Sequence, residues 1–348
     1  MKALHIPAFH TTLSTLSLST VPDPVPSPSQ LLIRITHASP QAVDVLYALG
    51  KHQNNNAKRG HIHPPFILGN DFAGVVVSAP PGSSYVAGEN VFGSKLGAFA
   101  ELIAVEEGEV GWVPGRLRNA DAVALVGGAV AYAAVKNVAL VREGQTVLVT
   151  GAAGGLGTVA CQVAQALGAR VIGLVGSEAK ATWLREHGGV EDVVIMDQKK
   201  VSGKDWERWV VDVLAATTGD GVDAIIDNIG CVEQGLRCLK SRGTIVMIGF
   251  AGRDGVMETI AMNKILLKSA RVIGYRFGDH GRRNPDEIAK IWEEYLSMVN
   301  KGTIRSMIHP AAYHGLEDVP RALHNLQDRK ICGKAVIQIA SRAGSVKL

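Results

Sequence analysis

The sequence predicts an α/β chain in which a doubly wound parallel sheet follows a β-rich flank and precedes a mixed tail. Three observations predict it. Strand-like and helix-like runs alternate between residues 119 and 275. Glycines crowd the first passage from strand to helix, in "VTGAAGGLGTVA". The first flank instead carries short β-branched runs punctuated by proline and glycine.

In the first flank, residues 1 to 118, "LLIRITHAS" and "FAGVVVSAP" read as strands bounded by turn residues. "VPDPVPSPS" reads as an extended connection and "GKHQNNNAKRGHIHPP" as a polar loop. "FILGNDFAGVVV", residues 66–77, reads as one buried strand. It raises a question, because Asn70 and Asp71 stand where the chain is about to enter a core.

The alternating segment begins with "TVLVT", a continuous apolar strand. "GLGTVACQVAQALG" follows with apolar residues at helical spacing and Gly168 as its stop. Strand "RVIGLVG", helix "EAKATWLREHG", strand "DVVIMD" and helix "WERWVVDVLAATTG" come next. "VDAIIDNIG", "GTIVMIGF" and "ARVIGY" complete six strands. Helices of this length between strands require parallel pairing with right-handed crossovers. The tail has an amphipathic helix, "PDEIAKIWEEYLSMVNKG", opened by Pro285 and closed by Gly302. "LEDVPRALHNLQDRK" reads as a second helix and "GKAVIQIA" as a last strand.

Composition narrows the class. The 348 residues are 47% hydrophobic and 20% charged, as in an ordinary globular chain of about two domains. The net charge of +4 is scattered, which argues for neither a nucleic-acid nor a membrane partner. No apolar run reaches the ~18 residues of a membrane span. The first residues lack the apolar stretch of a signal peptide, and the final Val-Lys-Leu lacks the small first residue of a peroxisomal address. A cytoplasmic location is the resulting expectation. Cys161, Cys231, Cys238 and Cys332 are dispersed, which suits reduced thiols packed as small apolar groups and not a structural zinc site.

The strongest chemical signal is the glycine loop. At dinucleotide-motif spacing its three small positions fall on Ala152, Gly154 and Gly157, with Ala153, Gly155 and Leu156 between them. Small residues let the backbone approach a pyrophosphate at a helix N-terminus, where free N–H groups favour negative charge. An NAD site places a carboxylate at the end of the second strand. Here that position is Val175, followed by Gly176 and Ser177, with Lys180 one helical turn on. With no acid to repel a 2′-phosphate, the expected cofactor is NADP.

These motifs together resemble the medium-chain dehydrogenase/reductase family, and within it the zinc-independent quinone oxidoreductase and enoyl reductase branch. The resemblance rests on "GAAGGLG", "VIGLVGSEAK", "AVAYAAV", "IGFAG", "NKILLKSARVIGYRFGDHGRRNP" and "LEDVPRALHNLQDRKICGKAVI". It implies a Rossmann NADP-binding domain at 121–275 inserted in a GroES-like β-barrel catalytic domain formed by 1–120 and 276–348. It also implies a cleft between the two and a homodimer built by the cofactor domains. Gly249, Phe250, Tyr275 and Phe277 match positions that place the nicotinamide, Asn228 matches a cofactor contact, and Tyr132 a cofactor-supporting position.

The resemblance also tests for zinc. Zinc-dependent relatives carry Cys where this chain has Gln41, and Gly-His-Glu where it has Gly69-Asn70-Asp71. Their third ligand, a Cys, falls in "LVGGAV", which has none. His61 and His63 have no third partner in their loop, so no metal is expected. Related quinone reductases place a Tyr where Leu46 stands, with Tyr47 one residue later. Tyr47, Gln41 and Asn70 are therefore the candidates for holding the acceptor's oxygen. Asp197 takes the place of a Tyr near the 2′-phosphate. The expected activity is NADPH-dependent hydride transfer to a quinone or an α,β-unsaturated carbonyl (enone, enal or enoyl thioester). A trans-acting enoyl reductase of polyketide biosynthesis and a non-catalytic NADPH-binding sensor or crystallin-like protein are the alternatives.

Overall fold

The structure, a computed structural model, describes residues 1–58, 60–196, 208–252 and 258–339. Contacts group the chain into two units, Met1–Val126 with Ile308–Leu348, and Gly127–Met307.

The first unit begins with the short strands β1 (Lys2–Ala3), β2 (His5–Ile6) and β3 (Ser19–Thr20), and β1 pairs with β3. β4 (Gln30–Ser39) is its central strand, and α1 (Ala42–Ala48) follows directly. Leu31, Ile33 and Ile35 of β4 are buried in alternation, the period-two pattern of a half-buried strand. Next come β5 (Phe66–Ile67), paired with β2, and β6 (Asp71–Ser78). β7 (Asn90–Ser94), β8 (Leu102–Glu106), β9 (Val110–Trp112) and α2 (Asn119–Leu125) complete this stretch. β4 lies antiparallel to both β6 and β8.

Residues 66–77 are thus two strands, not the one expected. The break is at Gly69, whose φ of +95° suits glycine. A Cβ there would stand 2.6 Å from the Phe99 ring. The turn leaves Asn70 outside the ladder and starts β6 at Asp71, opposite Ser39.

The second unit opens with α3 (Gly128–Ala133) and a π-helical turn, Ala134–Val138. Then β10 (Thr146–Thr150), α4 (Gly155–Ala166), β11 (Arg170–Val175), α5 (Glu178–Gly188) and β12 (Asp192–Ile195) alternate. α6 (Arg208–Ala216), β13 (Val222–Asp227), α7 (Val232–Cys238), β14 (Leu239–Met247), α8 (Met262–Lys268) and β15 (Arg271–Gly274) continue the pattern. The strands are parallel, in the order β12-β11-β10-β13-β14-β15. This is the Rossmann order, with its reversal between β10 and β13. Leu148, Ile172, Ile225 and Ile245 are fully buried, as in strands covered on both faces. Burial pushes the Cys161 and Cys238 thiols up to about 12, in keeping with thiols that serve as packing.

α9 (Phe277–Arg283) and α10 (Pro285–Asn300) belong to this unit and not, as the expected boundary at 275/276 had it, to the tail. α10 packs on α3 so closely that a Cβ on Gly128 would collide with the buried Tyr295 hydroxyl. The amphipathic pattern specified that a face would be buried, not against what. The chain then re-enters the first unit as β16 (Tyr313–His314), α11 (Val319–Gln327) and β17 (Ile337–Gln338), the last antiparallel to β4. Asp197, Trp206 and the terminal Val-Lys-Leu lie outside the described residues.

Candidate active site

In the second unit, the carboxyl ends of β10 and β13 meet where the strand order reverses, the place where open α/β sheets bind ligands. β10 ends at Thr150 and turns through Gly151, φ +60°, into Ala152 and Ala153, both buried. Gly154 is the N-cap of α4, so Gly155, Leu156 and Gly157 lie in its first turn with N–H groups free of intrahelical partners. A Cβ on Gly157 would collide with the Gly151 carbonyl and stand 2.7 Å from the Ala152 Cα. The third small position thus holds helix against strand, as a dinucleotide loop requires.

The floor is a hydrogen-bonded cluster. Thr150 Oγ1 donates to Asp227 Oδ1 at 2.8 Å and accepts from the Asn228 N–H at 2.9 Å. Asn228 Nδ2 donates to the Thr150 carbonyl at 2.7 Å. Asp227 also accepts from the N–H groups of Ile229, Gly230 and Cys231. The amide of Asn228 is therefore fixed, yet its Oδ1 is buried and accepts no hydrogen bond from a described residue. An orphaned acceptor at a switch point calls for a ligand donor. The loop after β14 leans on the same place. The Ala251 N–H donates to the Asn228 carbonyl at 3.1 Å, and a Cβ on Gly249 would come within 2.8 Å of that oxygen. Gly249 and Phe250 are half-buried beside it. Loop, amide and close approaches together fit a dinucleotide.

Ser177 caps α5, accepting from the Lys180 N–H at 3.4 Å, and is exposed, while Lys180 is half-buried. The second strand ends at Val175 without an acid. Tyr275 follows β15, its N–H on the Met247 carbonyl, with Phe277 edge-on at 6.2 Å. Burial, with the Glu287 charge, pushes the Tyr275 hydroxyl up to about 12, so it is a hydrogen-bond donor at neutral pH. Tyr132 is engaged elsewhere: its hydroxyl donates to Glu294 at 2.8 Å and accepts from Lys136 at 2.7 Å. Its role here is to tie α3 to α10.

In the first unit the β4–β6 register gathers Gln41, Asp44, Asn70 and Asp71. Gln41 is the N-cap of α1, and its N–H donates to Asp44 Oδ2 at 2.7 Å. Asn70 Nδ2 donates to Asp44 Oδ1 at 2.5 Å. Burial pushes the Asp44 carboxyl up to about 7, and the Asp71 charge adds to this, against the two hydrogen bonds and the Lys334 ammonium. Asp71 pairs with Lys334 at 2.8 Å, both buried. Tyr47 is 7% exposed and packed in the unit's core, its hydroxyl accepting from Asn54 at 3.0 Å and its ring edge-on to His52 at 4.8 Å. The structure brings Gln41 and Asn70 together and leaves Tyr47 in the core.

Sequence reasoning named none of Thr150, Asp227 and Asp44 as site residues. Thr150 and Asp227 were legible as polar residues ending apolar strands that flank the reversal. Among the described residues, no group of three His, Cys, Asp or Glu side chains is placed to hold a metal ion.

Comparison with known proteins agrees with this architecture. The descriptions "Alcohol dehydrogenase GroES-like domain" and "Zinc-binding dehydrogenase" match residues 27–141 and 155–298. Quinone oxidoreductase-like protein 2 of Rattus norvegicus is 30% identical over 281 residues, covering 79% of this chain and 77% of its own length. Prostaglandin reductase-3 of Bos taurus is 28% identical over 341 residues, covering 93% of this chain and 85% of its own. A mycobacterial protein solved in complex with NADPH superposes with a TM-score of 0.84 at 25% identity, over 97% of this chain and 99% of its own.

Proposed function

This chain belongs to the medium-chain dehydrogenase/reductase family, in its quinone oxidoreductase and enoyl reductase branch, and we propose that it reduces quinones or α,β-unsaturated carbonyls without zinc. It is an NADPH-dependent oxidoreductase. The observation that carries the reading is the fixed Asn228 amide, its oxygen orphaned beside a loop too tight for a side chain at Gly157.

NADPH, when bound, supplies a hydride. Gly154, Gly155 and Gly157 give its pyrophosphate close access to the α4 N–H groups, Asn228 offers an acceptor, and Ser177 with Lys180 takes the 2′-phosphate. The zinc-free reading rests on donor chemistry: Gln41 and Asn70 offer neutral amides where zinc needs thiolate, imidazole or carboxylate. Such amides suit an acceptor that is already electrophilic. An enone takes hydride at its β-carbon, and the enolate takes a proton from water at the α-carbon. A quinone takes hydride and one proton to give the hydroquinone. Gln41 and Asn70 orient the acceptor through its oxygen-bearing groups.

A second copy of the chain is the proposed partner. Among the described strands β15 is bonded on one edge only, to β14. Nearby in sequence, α8 exposes Met262, Leu266 and Leu267, an apolar row of the kind that association covers. No single helix among the described residues is long and apolar enough to cross a membrane, and the proposed location is the cytoplasm.

The test is NADPH oxidation, followed by absorbance, with a panel of quinones and enones. Turnover with at least one class is expected. Tight NADPH binding with no oxidation by any acceptor refutes the reductase reading.

A further inference from the structure

We propose that Asp44 is a positioning residue that keeps the Asn70 amide oxygen available to the ligand, so that this site favours acceptors bearing an O–H or N–H donor. The inference rests on the reading above, in which Asn70 faces the acceptor.

Asp44 is wholly buried, and its two oxygens face donors from different elements. Oδ2 takes the Gln41 backbone N–H, which the start of α1 fixes in place. Oδ1 takes Asn70 Nδ2. Once ionised, as it is above its raised value of about 7, the Asp44 carboxyl only accepts, so Asn70 has to offer its nitrogen inward. One N–H is spent there, and the oxygen with the remaining N–H is left for a ligand. The backbone carrying Asn70 is clamped on both sides. The Asn70 carbonyl accepts from the Lys95 N–H at 2.9 Å, the Gly69 carbonyl accepts from Gly97 and Ala98, and Asp71 is held by Lys334. Turnover of the amide about its last torsion is the freedom left, and Asp44 removes it. A ligand with a hydroxyl beside its reacting system can then use the oxygen, and the N–H as well, whereas a bare carbonyl can use the N–H alone.

Asp44→Asn changes the outcome at constant shape. The fixed Gln41 N–H claims the one remaining oxygen, and the new amide nitrogen faces Asn70. Asn70 then has to turn its oxygen inward. With full-length protein and NADPH at about pH 8.5, where Asp44 is ionised, kcat/KM is measured for cyclohexenone and its γ-hydroxy derivative in wild type, Asp44→Asn, Asn70→Ala and the double variant. The ratio between the two substrates cancels their intrinsic reactivity. The expected result is a γ-hydroxy preference about tenfold lower in Asp44→Asn, the scale of one hydrogen bond, equally low in Asn70→Ala, and no lower in the double variant. A ratio in folded Asp44→Asn within twofold of wild type overturns the proposal.

A second readout needs no turnover. The side-chain NH2 signal of Asn70 in a ¹H–¹⁵N spectrum is identified by its loss in Asn70→Ala. One proton displaced downfield by the carboxylate is expected in wild type, and its absence overturns the proposal even if Asp44→Asn fails to fold. Wild-type protein that oxidises NADPH with no acceptor breaks the functional reading instead, and the Asn70 signal still decides the placement of the amide.

Discussion

Asp227, at the end of β13, and Asp44, on α1, are both fully buried carboxylates, one in each unit, and their surroundings differ in kind. Asp227 accepts from three consecutive backbone N–H groups and from Thr150. Its task is to hold a loop in shape. Asp44 accepts from one backbone N–H and one side-chain amide, and burial lifts its carboxyl to about 7. In the second unit the contacts proposed for the pyrophosphate are backbone ones, at a glycine loop too tight for a side chain at Gly157. In the first the proposed contacts are side chains, and the direction of Asn70 depends on Asp44. Binding should therefore fail through shape in one unit and through electrostatics in the other.

The largest expected effect tests the shape side. Gly157→Val drives a side chain into the Gly151 carbonyl and should weaken NADPH binding on the order of 100-fold, read by fluorescence titration. Unchanged affinity would remove the backbone half of the comparison.

Next is the buried pair of the first unit. Lys334→Met leaves Asp71 charged and alone, and should cost about 3–5 kcal/mol in denaturant unfolding. Adding Asp71→Leu should restore much of it. A single variant as stable as wild type would show that the Lys334 ammonium does not hold the Asp71 charge in place.

The titration of Asp44 sharpens the contrast further. Its folded value of about 7 lies above its ordinary 3.8, so the folded chain holds more protons between those limits. Its contribution to stability is fullest below about pH 4 and falls as pH rises toward 7. The difference in unfolding free energy between wild type and Asp44→Asn should change by on the order of 2–4 kcal/mol across that window. A flat difference would mean that Asp44 stays charged throughout.

The smallest effect is at the cofactor's rim. Lys180→Ala should weaken NADPH binding about tenfold and leave NADH unaffected, the loss of one charge-assisted contact. Equal loss for both dinucleotides would refute the assignment of Ser177 and Lys180 to the 2′-phosphate.

Legibility in the sequence follows the same division. The six parallel strands and the glycine loop were readable because their determinants are local: apolar runs, helical spacing, and small residues where the backbone must come close. α1 was not read, since Ala42–Ala48 follows Pro40 in a short segment with no full helical period. Asp44 gave no sign of its importance, because Asn70 and Lys334, the residues that give it meaning, stand far along the chain. Tyr47 is a candidate by residue type and place, and its packing among the core residues depends on contacts with other segments that α1 does not encode. α10 was recognised as a helix but assigned to the wrong unit, since its partner, the Gly128 face of α3, carries no pattern of its own.

The Lys334–Asp71 bridge joins residues 263 positions apart, and Ser39 reaches the Ala335 carbonyl across 296. The second unit, by contrast, is one continuous stretch. On a ribosome, Gly127–Met307 can therefore complete its sheet while the first unit still waits for its last strand. Until β17 arrives, the His37–Ala38 end of β4, beyond the stretch that β8 covers, lacks a partner on one edge, and Asp71 lacks its counter-ion. Synthesis order thus makes completion of the first unit the late and vulnerable step, the point at which a chaperone or a truncation would have its greatest leverage.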